Sequence, residues 1–105
     1  MQTVNWRDKL SFDQTKMRKV NLFDTSRFFA DVYCFEPGQA QTPHAHAGSD
    51  KVYVVLEGTA MIRVDDEERQ LGPDHAVLAP GGSDHGVTNP GPDKLVLLVF
   101  MAPKP

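Results

Sequence analysis

The sequence predicts an all-β fold of antiparallel strands closed into a sandwich or barrel, and three observations carry that prediction. Glycine and proline, 8 of each, fall mostly between short apolar segments, at Pro37-Gly38, Gly58, Gly72-Pro73, Pro80-Gly81-Gly82 and Pro90-Gly91-Pro92, the spacing expected of strands joined by turns. The segments between them are rich in β-branched and aromatic residues. No window sustains a 3.6-residue apolar period, so there are no helical crossovers with which to build a parallel sheet.

In chain order, the predicted strands are VNLF (20–23), RFFADVYCFE (27–36), KVYVVLE (51–57), TAMIRV (59–64), HAVLAP (75–80), HGVTN (85–89) and KLVLLVFMA (94–102). The fourth alternates polar Thr59 and Arg63 with apolar Ala60, Ile62 and Val64, Met61 excepted, as a strand with one wet face should. Asp65-Asp66-Glu67-Glu68 reads as a charged turn before Arg69 to Leu71. The last segment lacks clear alternation and reads as a strand covered on both faces. Residues 1–17 form an N-terminal segment of uncertain structure: irregular, along a sheet edge, or against a partner subunit.

A chain of 105 residues makes one domain, 1–105. Hydrophobic residues at 40% and charged residues at 24% are ordinary for a folded protein. The net charge of -3 and the scattered Lys and Arg argue against a nucleic-acid partner. Cys34 is the only cysteine, so no internal disulfide forms, and a small buried thiol in a reducing compartment is expected. The start MQTVNWRDKL does not read as a signal peptide, and the longest apolar run, 95–102, is far shorter than the roughly 18 residues of a membrane helix. A cytoplasmic protein without membrane association is the expectation.

Among the four histidines, His44 and His46 stand out, because on a strand the period of two places both rings on one face, within reach of one metal ion. Gly38 precedes His44 by six residues and Gly58 closes the following strand; downstream, Pro80-Gly81-Gly82 is followed by His85 and Asn89. In these residues the sequence resembles the cupin superfamily, whose motifs are G-x5-H-x-H-x(3 or 4)-E-x6-G and G-x5-P-x-G-x2-H-x3-N. Gly38, His44, His46 and Gly58 match the first; Pro80, Gly82, His85 and Asn89 match the second, although 72–80 is two residues longer than the pattern.

The resemblance implies a small single-domain cupin: an antiparallel double-stranded β-helix, or jelly-roll barrel, with a metal held inside by His44, His46 and His85. Neutral imidazoles suit Fe, Mn, Ni, Cu or Zn. His75 matches no motif position and is expected to be structural or exposed.

The departure from the pattern is the motif carboxylate. Counted back from Gly58 it falls on Lys51; counted on from His46 it falls on Asp50. Alternation puts Asp50, Val52, Val54 and Leu56 on one face and Lys51, Tyr53, Val55 and Glu57 on the other. Apolarity favours burial of the first face and would turn Asp50 inward as a fourth ligand; the family register turns Lys51 inward. Three arrangements follow, in order of preference: a three-histidine site, a site with Asp50 added, and a metal-free cavity holding Lys51. Tyr53 and Phe100 are candidate cavity residues that read equally well as core, and Asn89 has a motif position that also reads as a turn.

The functional expectation is a metal-binding barrel that acts on or binds a small-molecule ligand or substrate, with dioxygenase or isomerase-type chemistry if it is an enzyme. The alternative is a non-catalytic binding or sensing cupin, metal-free, whose inward lysine receives an anion. Cupins commonly pair through their sheets, so a homodimer is expected. No G-x-S-x-G, P-loop or dinucleotide fingerprint is present.

Overall fold

The computed structural model describes residues 1–105 and contains nine strands: β1 (Arg18–Asp24), β2 (Phe29–Phe35), β3 (Ala40–Ala45), β4 (Asp50–Glu57), β5 (Ala60–Val64), β6 (Glu67–Leu71), β7 (Ala76–Ala79), β8 (Asp84–Thr88) and β9 (Leu95–Ala102). They form two antiparallel sheets, one ordered β1-β2-β9-β4-β7 and the other β3-β8-β5-β6. Consecutive strands β3 and β4 lie in different sheets, as do β4 and β5, β6 and β7, β7 and β8, and β8 and β9. The chain therefore passes repeatedly between two facing sheets, which makes the predicted double-stranded β-helix. No helix is long and apolar enough to cross a membrane.

Register decides which residues share the interior. Across β2, β9 and β4, Tyr33 opposes Leu97, Lys51 opposes Met101, Tyr53 opposes Val99 and Val55 opposes Leu97. These side chains are buried, and together with Phe35, Ala60, Ile62, Ala79, Val87 and Leu95 most of them form the main core. A second, smaller cluster lies on the other side of the five-stranded sheet. There Val32, Cys34 and Val96 are covered by Trp6, Leu10, Phe12, Val20, Leu22 and Leu56.

The N-terminal segment is thus a lid on the outer face of the sheet. Its one short 3-10 helix (Trp6–Lys9) is capped by the Asn5 side chain, which accepts from the Arg7 amide at 3.0 Å. The cover reaches Leu56 at the end of β4, while Val52 and Val54 stay half-buried on the same outer side, so that side is apolar without being the barrel interior. The expectation from apolarity alone is overturned, and the family register holds.

Two strands differ from the sequence reading. The acidic stretch is not all turn: only Asp65 and Asp66 make the turn, with Asp65 at φ 53°, and Glu67 already pairs with Val64 in a β5–β6 hairpin. Exposed on every position but the last, β6 lacks the apolar alternation that would mark it in sequence. β3 carries Pro43 and a register irregularity between Gln41 and His44, the kind of break that accommodates a proline in a strand.

Candidate functional site

His44 sits near the end of β3, directly across from His85 on β8, and His46 follows just beyond the strand. The irregularity at residues 41–44 breaks strict alternation, so Gln41 and His44, three apart, both accompany the interior. Ring centroids lie 4.6 Å apart for His44 and His85, 4.9 Å for His44 and His46, and 6.1 Å for His46 and His85. The structure therefore brings together the three histidines singled out by the motifs, on adjoining elements at one end of the barrel.

Their tautomers follow from backbone geometry. A carbonyl oxygen only accepts, so Nδ1 of His44 donates to Thr42 O at 3.0 Å and Nδ1 of His85 donates to Ser83 O at 3.1 Å. In the neutral ring of His85, Nε2 is left with its lone pair. His85 Nε2 is sealed from solvent and has no hydrogen-bond partner, an arrangement that costs about 1–3 kcal/mol unless something occupies the position. Burial and the nearby Lys51 push the His85 imidazole down to about 4, and burial with His44 and Lys51 lowers His46, so both rings are neutral near pH 7.

Lys51 is 1% exposed and faces the interior. Its Nζ lies 5.2 Å from the Tyr33 ring centroid and 5.1 Å from that of Tyr53, and no carboxylate lies within ion-pair distance of it. The cation–π contacts stand in for a counter-ion. Lys19, opposite Tyr33 on β1, places its Nζ 5.2 Å from the same tyrosine ring. Tyr53 donates its hydroxyl to Gln41 Oε1 at 3.0 Å, while Gln41 Nε2 is buried without a partner.

Asp50 belongs elsewhere. Its side chain is on the exposed face of β4, where Oδ1 accepts from Gly81 N at 2.8 Å. It clasps the Pro80–Gly82 turn to the rim, alongside the bond from Gly82 N to His46 O at 2.8 Å. The fourth-ligand expectation for Asp50 is corrected by strand alternation: with Lys51 inward, its neighbour points out.

Two cavity expectations are corrected as well. Phe100 is 38% exposed on the outer face of β9. Asn89 is buried, but its amide donates to Phe35 O at 3.2 Å and Asp93 O at 2.9 Å, and its Oδ1 accepts from Gly91 N at 2.9 Å. It is a clamp on the turn before β9, fully engaged with backbone. Tyr53 does line the interior, and Tyr33 and Gln41 join it unannounced by any motif, with the exposed Lys19 reaching the Tyr33 ring from β1. His75 is exposed in the turn before β7.

Burial of Lys51 has a consequence for stability. Burial first, and Lys19 second, bring its amine from 10.5 down to about 8, opposed by Asp31. Between pH 8 and 10.5 the unfolded chain holds more protons at this residue than the folded one, so its contribution to stability rises with pH across that window. The full cost, present below pH 8, is about 3 kcal/mol. Cys34, Tyr33 and Tyr53 are raised by burial and act in the opposite direction at alkaline pH. The Lys51 contribution is therefore read as a difference: from about pH 7.5 to 9.5, wild type is expected to gain about 1–2 kcal/mol relative to Lys51→Met in urea unfolding. Parallel pH profiles for the two proteins would contradict a buried amine.

The three imidazoles have the donor chemistry of a transition-metal site, and the unpartnered His85 Nε2 fits such an ion. The arrangement is nonetheless open: no three His, Cys, Asp or Glu side chains converge as a ligand set. Imidazoles sharing one ion at about 2.0–2.1 Å place their centroids about 4.5–5.3 Å apart, which the two pairs involving His44 meet and the His46–His85 pair exceeds.

Comparison with known proteins locates this geometry. Over 84 residues, 77% of this chain, the sequence is 36% identical to the tetracenomycin polyketide synthase protein TcmJ of Streptomyces glaucescens; the chain spans 56% of that relative's length. The crystal structure of TT1209 from Thermus thermophilus superposes with a TM-score of 0.97 at 42% identity, covering 100% of both chains. KdgF from Halomonas sp. superposes with a TM-score of 0.77 at 28% identity, covering 88% of this chain and 83% of its own. The cupin domain profile matches residues 31–101, from the middle of β2 to the end of β9, and the chain belongs to the cupin family.

Proposed function

We propose that the barrel binds a small anionic molecule at a divalent transition-metal ion (Fe, Mn, Ni, Cu or Zn) held by His44, His46 and His85, with Lys51 as the buried cation that selects negative charge. One observation carries this reading: three imidazoles gather on adjoining elements, in a barrel whose buried lysine has no carboxylate partner. The ion would supply Lewis-acid or oxygen-activating chemistry of the isomerase or dioxygenase type. The chain's own residues supply the rest. Thr42 O and Ser83 O hold His44 and His85 in the ligating tautomer, Lys51 attracts and orients an acidic group, and Gln41 Nε2 offers an unused donor. Tyr33 and Tyr53 keep water from the ammonium. His46, partly exposed on the rim, is the ring that turns inward to complete the set. The identity to a polyketide synthase protein supports a small molecule as the occupant.

Elemental analysis of untagged protein tests the metal. Wild type is expected to carry close to one equivalent of a transition metal, and His85→Ala to lose at least about tenfold in affinity. Only traces in wild type, unchanged by the substitution, would overturn it.

A metal-free, non-catalytic binding module is the second reading, favoured by the cation that stands where the family pattern has a carboxylate. Stabilisation by a carboxylate anion that is equal in chelator and in metal would select it.

A homodimer completes the proposal. Phe28, Phe100 and Leu98 border an apolar groove with Leu22 and Trp6 on the outer face of the five-stranded sheet, the kind of patch that marks an association surface. Light scattering at micromolar concentration is expected to give twice the chain mass, and a monomer would refute it.

A further inference from the structure

We propose that Lys51 is a covalent anchor whose side-chain amine condenses with the aldehyde or ketone group of a small carbonyl acid admitted to the barrel. The acidic nature of that ligand rests on the reading above; the covalent step does not.

The argument begins with what Lys51 lacks. A lysine 1% exposed ordinarily has a carboxylate to neutralise it, yet the five ion pairs of this protein leave Lys51 out. Asp31, on the same face of the sheet, accepts instead from Asn21 Nδ2 at 2.8 Å. The Lys51 nitrogen makes no hydrogen bond, and it is not one of the two polar atoms sealed off without a partner, which are Gln41 Nε2 and His85 Nε2. It therefore keeps a trace of accessible surface on an otherwise buried side chain.

Its surroundings favour the neutral, nucleophilic amine. Tyr33 and Tyr53 present ring faces about equally distant from it, and Lys19 stands on the same Tyr33 ring, a second positive charge that disfavours protonation. Desolvation together with a neighbouring cation is how a lysine becomes a Schiff-base nucleophile. Burial and Lys19 bring its amine down to about 8, so a usable neutral fraction exists at physiological pH. Lys19, exposed on β1, is placed to meet the ligand's acidic group.

The step balances without an oxidant or reductant. The amine lone pair adds to the carbonyl carbon, one amine hydrogen passes to the oxygen, and the resulting carbinolamine expels its hydroxyl with the second amine hydrogen as water. An imine remains on Lys51.

Glyoxylate with cyanoborohydride, in the presence of EDTA, tests this on the intact protein. Reduction fixes any imine as a secondary amine, and modification at Lys51 abolishes tryptic cleavage there, so residues 28–63 appear as one peptide. Labelling at Lys51 is expected to exceed that at each of the exposed lysines Lys9, Lys16, Lys19, Lys94 and Lys104 at least tenfold, and Lys51→Arg to lose it. Label spread evenly over the lysines, or absent from Lys51, would overturn the proposal. Thermal stabilisation by malonate, which has neither aldehyde nor ketone, is followed in parallel. Stabilisation without Lys51 labelling overturns the covalent anchor and leaves the anion site; labelling without stabilisation upholds the anchor and removes the anion reading.

Discussion

Lys51→Glu is expected to turn the open histidine cluster into a tight divalent-metal site. The substitution puts a carboxylate where the family pattern has one, on the face that looks toward His85, and changes the local charge by two units. Burial first, and the Lys51 cation in addition, depress His85 and His46; replacing that cation by an anion reverses its share and adds an oxygen ligand. Removing even an outer-shell partner from a metal site costs about 10–100-fold, so gaining a direct ligand is expected to raise metal affinity by at least about a hundredfold. Isothermal titration with Zn²⁺ or Mn²⁺ on chelator-stripped protein measures it. The loaded variant should also be about 2.7 kcal/mol more stable at an ion concentration of about a hundred times Kd. Equal affinities for wild type and Lys51→Glu would mean that residue 51 does not address the histidines.

Gly58→Ala is expected to be among the most damaging single changes. Gly58 has φ 84°, where an L side chain costs about 1–2 kcal/mol. An added Cβ would also stand 2.3 Å from the Lys94 carbonyl oxygen and 3.0 Å from Leu95 Cα, both backbone and unable to move aside singly. Overpacking of this kind costs about 1–3 kcal/mol, so a loss of about 3–4 kcal/mol is anticipated, a fall in Tm of roughly 15–25 °C for a domain of this size. A Tm within a few degrees of wild type would show that the β4–β9 crossing tolerates a side chain. By contrast, a Cβ at Gly38 meets nothing within 4 Å, although both glycines hold motif positions.

That contrast shows what the motifs encode. Gly58 was identifiable because the close approach of two backbones admits one residue type. His44, His46 and His85 were identifiable because their spacing survives in the fold: two lie around one strand end and the third directly across the ladder. Strands rich in β-branched residues were visible for a related reason, since burial of such residues on a pleated surface leaves a compositional trace. β6 was not, because an exposed edge hairpin buries nothing and leaves none.

Asn89 and Phe100 mark the limit of position as a guide to role. Asn89 occupies a motif site and spends all of its hydrogen bonds on the backbone of a turn; Phe100 alternates with Val99 and Met101, and only the register against β4 tells which of them looks outward. Gln41 had no local mark at all. It faces the interior because a bulge at Pro43 shifts the count by one.

The same division runs through Asp50 and Lys51. Local chemistry settled that β4 is a strand, that these neighbours face opposite ways, and that one of them stands beside the histidines. Which one could not be read locally, because period-two alternation defines two faces without ranking them, and both faces of β4 carry apolar side chains. The choice was made by long-range packing: Trp6, Leu10 and Phe12, far away in sequence, cover the outer side of the sheet as far as Leu56, while Tyr33 and Tyr53 pack around Lys51 on the inner side. The fold and its histidines are properties of residue type and spacing; the charge at the centre of the barrel is a property of long-range packing.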